Sequence, residues 1–192
     1  MLTSRTGAFV FCHPCTRLFG PRSLGISQRH KVENVTKPEL QEVVETMRRI
    51  DADPNEKVDQ ETVRRWMESN DLQVLGAVYY VLFDGRYYPK IEPAFTLNDY
   101  KMFLLPYYER CLREDPQADW SSPRYTAGWD LVGWFMCLWR DKSVPRATLG
   151  EIKDWLGTMY VNGDEDLRTC LVTATLEHLF EDRKVADRKS VV

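Results

Sequence analysis

Three side chains have the types that general acid-base chemistry or small-ligand binding draws on: His178, Asp130 and Arg168. His178 shares a helical face with Leu167, Leu171 and Ala174, which turns its imidazole toward an interior. A buried imidazole near a carboxylate can be tuned to work as a base at neutral pH. Asp130, between Trp129 and Leu131, supplies such a carboxylate. Burying it alone would be costly, so it calls for a cation, and Arg124, Arg140 and Arg168 are the candidates. A structural ion pair meets that need as well as a catalytic acid does. A metal site would want a second ligand one turn from His178. Position 174 is Ala and the turn beyond offers only Asp182, so neither a metal nor another cofactor is expected.

Cys12-His13-Pro14-Cys15 has the spacing of redox and zinc sites. No βαβ pattern surrounds it, and no second Cys/His pair completes a tetrahedral site. Five cysteines, three of them inside predicted amphipathic helices, suit a reducing cytosol. The chain lacks G-x-S-x-G, a phosphate-cradling glycine loop, H-E-x-x-H and a dinucleotide fingerprint. Asn34-Val35-Thr36 matches a glycosylation sequon, but nothing else in the chain implies secretion.

Tyrosine pairs at 79/80, 87/88 and 107/108 suggest binding rather than catalysis. Neighbouring helical residues point about 100° apart. Tyr79 and Tyr107 on the inner face would therefore send Tyr80 and Tyr108 toward the surface. The loop from Asp84 to Pro93 adds Arg86, Tyr87, Tyr88 and Lys90, stiffened by Pro89 and Pro93. Tyr and Arg anchor interfaces because they bury much area and keep a hydrogen-bonding tip. Tyr80, Arg86, Tyr87, Tyr88, Lys90 and Tyr108 are thus the expected partner-binding edge; the alternative is a loop that simply packs over the edge of a bundle.

The elements that must position these groups are helices. Tyr125 to Arg140 is apolar nearly all round, with Trp129, Trp134 and Trp139 at separated angles, and so is expected to be buried. It is shorter than the roughly 20 residues of a membrane span and contains Asp130. Gly128 and Gly133 within it point to a close helix approach. Thr36-Lys37-Pro38-Glu39 reads as a capping box opening a helix with Leu40, Val43, Val44 and Met47 inward. Val63, Trp66 and Met67 mark a second helix, and Leu72, Leu75, Tyr79, Leu82 and Phe83 a third, stopped at Asp84-Gly85. Thr96 caps a fourth, striped by Tyr100, Phe103, Leu104, Tyr107, Cys111 and Leu112, in which Pro106 should make a kink. Another follows Pro145 with Leu149, Ile152, Leu156 and Met159 inward and ends at Asn162-Gly163; the last runs from Asp164 to about Asp182. No run alternates over strand length. The expected fold is all-α: a single-domain bundle of about seven helices over residues 33–183, around a Trp-rich central helix at about 123–140.

Residues 1–32 differ in kind, with five Lys/Arg, no carboxylate and scattered Gly and Pro. A transit peptide, a disordered tail and an over-long gene start are the alternatives, Pro14 and Pro21 speaking against the first. Residues 184–192 form a charged C-terminal tail. The segments Tyr87 to Pro93, Arg124 to Phe135 and Leu167 to Glu181 resemble a group of small, uncharacterised bacterial all-helical proteins, over roughly residues 60–183. The resemblance implies a bacterial cytosolic protein and brings no activity with it.

With 43% apolar residues, six Trp, nine Tyr and eight Phe, the chain can build a substantial core. Beyond position 32 it carries 21 basic against 29 acidic residues. That acidity disfavours a nucleic-acid partner and favours a basic protein. No membrane association is expected, and the oligomeric state is left open. The reading is a cytoplasmic, acidic protein-interaction module, an immunity-like neutraliser being one version, and more plausibly not an enzyme. The alternative is a small enzyme or ligand binder with its pocket near His178, Asp130 and Arg168.

Overall fold

The computed structural model describes residues 37–181, and they are all-α. Residues 1–36 and 182–192 lie outside it, and with them the Cys12/Cys15 pair, the sequon, Thr36 of the expected capping box, Asp182, and the expectations for the leader and the tail. The elements are α1 (Pro38–Ala52), β1 (Val58–Asp59), α2 (Gln60–Met67), α3 (Leu72–Phe83), a 3-10 turn (Tyr88–Lys90), β2 (Ile91–Glu92), α4 (Leu97–Glu114), α5 (Arg124–Arg140), α6 (Arg146–Asn162) and a composite last helix. That last helix comprises α7 (Glu165–Cys170), a π-helical turn (Leu171–Leu176) and α8 (Glu177–Glu181). The chain divides into two compact units between Leu104 and Leu105, within α4.

In the first unit α1 and α2 both pack on α3. Leu40, Val43, Val44 and Met47 face inward as their spacing predicts, against a core that includes Val63, Trp66, Val78 and Leu82. Pro38 opens α1, but the N-cap is Lys37 and makes no side-chain cap bond. Asp71 does cap α3, accepting the Gln73 amide at 2.9 Å. Thr96 caps α4 as expected, in a reciprocal box with Asp99: the Thr96 amide donates to Asp99 Oδ2 at 2.8 Å and the Asp99 amide donates to Thr96 Oγ1 at 3.3 Å. The expectation of no strand needs correction, because β1 and β2 pair in parallel, Val58 with Ile91 and Asp59 with Glu92. Two residues are too few to show an alternating pattern.

The second unit is arranged about α5, which packs against α6, α7, the π turn and α8. All six stripe residues of α4 are buried, and the helix continues through Pro106. Proline leaves the Met102 carbonyl without its helical donor, and both Met102 and Pro106 are exposed, on the side where water can reach it. The corner after α4 is held from both sides. Arg124 Nε donates to the Leu112 carbonyl at 2.6 Å and Nη2 to that of Arg113 at 3.1 Å, while the Arg124 amide donates to Asp115 Oδ1 at 2.9 Å. Asp115 takes φ 45°, a left-handed conformation that Asp tolerates better than most residues. Gly163 ends α6, but at φ −80° rather than in the left-handed cap that a terminal glycine suggests. Its reason is closeness: a Cβ there would lie 2.8 Å from the Met159 carbonyl oxygen and 2.9 Å from Leu167 Cδ2.

Candidate functional site

The tyrosine edge does not form as the sequence suggests. Tyr87 and Tyr108 are buried, at 2% and 0% exposure, so neither can anchor a partner from the surface. Tyr87 is drawn inward because its hydroxyl donates to Asp51 Oδ2 at 3.0 Å and its ring carries the Arg86 guanidinium at 4.8 Å. Burial first, and then the bond to Asp51, push its phenol well above its ordinary value. Arg86 is exposed yet occupied, bonding Asp84 Oδ1 and Oδ2 at 3.0 Å each and the Tyr80 hydroxyl at 3.2 Å. Burial works against charge on Asp84, but the Arg86 side-chain and backbone bonds outweigh it and hold the carboxyl below its ordinary value. Lys90 is tied to the Pro54 carbonyl, and Tyr88 is half-buried. Tyr108 belongs to the second unit, where it packs beside Tyr107 and Trp134. Both members of the 107/108 pair are buried because α4 is covered on two faces there. Arg86, Tyr87 and Lys90 are thus tied to Asp84, Asp51 and Pro54, the arrangement that the packing alternative describes.

The groove that Arg168 lines does not include the other two residues of the alternative site. His178 is half-buried and lies against the Trp129 ring, with centroids 3.8 Å apart and planes at 37°. Asp130 is half-buried on α5. Arg168 donates its Nε to the Gly163 carbonyl at 2.9 Å and lines a groove with Tyr160, Glu165, Thr169, Val172 and Thr173; neither Asp130 nor His178 is among the lining residues. Arg124, expected as a partner for Asp130, instead holds the α4–α5 corner and approaches Asp166 at 3.7 Å. Among the described residues no group of three or more His, Cys, Asp or Glu is placed to hold a metal ion. Burial raises the thiols of Cys111 and Cys170 to about 11, which keeps both protonated and unreactive near neutrality.

The surface feature that sequence reasoning missed is on α5. The helix is buried from Ala127 to Leu138 along most of its circumference, but Tyr125 and Trp129 are exposed, at 52% and 47%. One turn apart, they form an aromatic stripe that His178 extends from the last helix. Asp166, 82% exposed, stands near its N-terminal end beside Arg124, and the exposed Glu177 precedes His178 at the other. The arrangement is an apolar, aromatic strip with Asp166, paired with Arg124, near one end and Glu177 at the other. Its signal in the sequence was the i, i+4 spacing of Tyr125 and Trp129, masked by apolar residues on every other face of α5. Among the described residues no helix is long and apolar enough to cross a membrane. The chain matches no family model, no curated protein and no solved structure.

Proposed function

We propose that the protein is an acidic interaction module that binds a basic protein through the aromatic stripe of α5. The observation that carries this reading is the half-exposed Trp129 one turn from the exposed Tyr125. Trp and Tyr dominate binding energy where they centre an interface. The charge of the partner follows from Asp166 and Glu177 at the ends of the strip and from the excess of acidic over basic residues beyond position 32. A bacterial cytosolic setting, kinship with the uncharacterised helical proteins that the chain resembles, and a neutralising role belong to the same reading.

The test is co-purification from the native cell with wild type and with Trp129→Ala and Tyr125→Ala, followed by titration of the purified partner. Loss of Trp129 should weaken the complex by about 2 kcal/mol or more while the free protein melts nearly unchanged. An undiminished affinity in both variants would overturn the stripe as the docking surface. For a neutraliser, the partner expressed alone should impair growth, and co-expression of this chain should restore it.

A further inference from the structure

The groove beside the π turn has a composition that the interaction reading leaves unused. It is an open groove of about 570 Å³, lined by Tyr160 of α6 and by Glu165, Arg168, Thr169, Val172 and Thr173 of the last helix. That volume lies within the range of small-ligand sites. Glu165 and Arg168 are three residues apart on one helix, a spacing at which opposite charges ordinarily meet. Here they do not pair: neither makes an ion pair among the described residues. Arg168 has its Nε fixed on the Gly163 carbonyl, and Gly163 is itself fixed by close packing on Leu167. The guanidinium is therefore anchored at one nitrogen, with its two Nη groups left to donate. Thr173 is likewise held, donating to the Thr169 carbonyl at 2.9 Å. Val172 and the half-exposed Tyr160 ring provide the apolar wall. The backbone also departs from the ordinary helix here, since the Glu177 amide bonds the Val172 carbonyl five residues back. Such π turns recur at functional sites, and this one carries Val172 and Thr173 on the groove while Ala174 and Thr175 are pressed toward Gly128.

We propose that this groove binds a small zwitterion, a large amino acid or a dipeptide. Its carboxylate is received by the two Nη groups of Arg168, its ammonium by Glu165, and its side chain lies against Tyr160 and Val172. A planar guanidinium fork matches a carboxylate in two parallel bonds, and a carboxylate on the same wall selects for a ligand that also carries a positive end. A purely anionic ligand would be repelled by Glu165 and a purely cationic one by Arg168, so both charges are required together.

The experiment titrates the full chain with free L-phenylalanine and with leucyl-phenylalanine, followed by amide chemical shifts and calorimetry, beside the N-acetylated and C-amidated forms of each. At least one free zwitterion should shift amides within residues 160–173, and both blocked forms should bind about tenfold or more weakly, as expected for loss of one charge-assisted bond. Arg168→Gln and Glu165→Gln should each weaken binding by a similar factor. If Arg168→Gln fails to fold through loss of the Gly163 bond, Glu165→Gln and Tyr160→Ala carry the test. Absence of shifts with every free zwitterion would overturn the proposal, as would blocked forms or Glu165→Gln binding as tightly as the parent.

Discussion

Arg124 shows how one side chain can be diverted from chemistry into architecture. Its guanidinium, 13% exposed, closes two carbonyls at the end of α4, and its own amide is received by Asp115. Arg124→Ala would leave two carbonyls short of donors and should cost about 2 to 3 kcal/mol in urea denaturation. Arg124→Lys should recover little, because a single ammonium lacks the fork that spans both carbonyls. Asp99 and Asp84 make a second prediction at this scale. Burial opposes their charge, but bonds from Thr96 and Arg64 to Asp99, and from Arg86 to Asp84, hold both below the ordinary 3.8. A carboxyl depressed on folding stabilises the fold fully above its unfolded value, and that contribution is lost as pH falls through the folded one. Stability should therefore fall on acidification below about pH 4, and less steeply in Asp99→Asn than in wild type. Equal slopes in denaturation series at successive pH values would contradict the role given to Asp99.

Gly128 governs the contact between α5 and the π turn. A Cβ at this position would lie 3.0 Å from Ala174 Cβ and 3.1 Å from Thr175 Oγ1, and both of those residues are buried. Gly128→Ala should therefore destabilise the protein by about 1 to 3 kcal/mol through overpacking, although alanine favours helices in isolation. Thermal or chemical melts read the sign directly. Element by element, the helices were legible in the sequence because each presents an apolar stripe of the right period: the residues expected inside α1 and α4 are buried. The π turn and the β1–β2 bridge were not, since neither has a periodic signature over so few residues. The site was read less well for a related reason. Spacing fixes the angle between Tyr107 and Tyr108, but only tertiary packing decides how many faces are covered, and here both are. On α5 the same rule failed in the opposite sense: a helix apolar on every side leaves Tyr125 and Trp129 uncovered. Tyr87 could not have been placed from its loop alone, because the Asp51 that receives its hydroxyl is 36 residues away.

At the scale of the whole molecule, the acidic balance beyond position 32 sets how a basic partner would arrive. Raising ionic strength from about 0.05 M to 0.5 M should slow association roughly tenfold or more while changing dissociation much less, as in electrostatically steered encounters. Stopped-flow association at graded salt checks this, and salt-independent rates would remove charge from the recognition. The two buried thiols of the second unit have a consequence of another kind. Cys111 lies in the 18-residue α4 and Cys170 at the junction of α7 with the π turn, both at 0% exposure. Neither can be alkylated without an excursion of the surrounding chain, so with an alkylating agent slower than reclosing the trapping rate at each measures the fraction of time that neighbourhood is open. Cys170 should be trapped first, because a π turn flanked by six- and five-residue helical pieces holds its backbone less firmly than one long helix does. The two thiols thus form a matched pair of internal clocks, and the ratio of their rates gives the free energy by which the last helix opens ahead of α4.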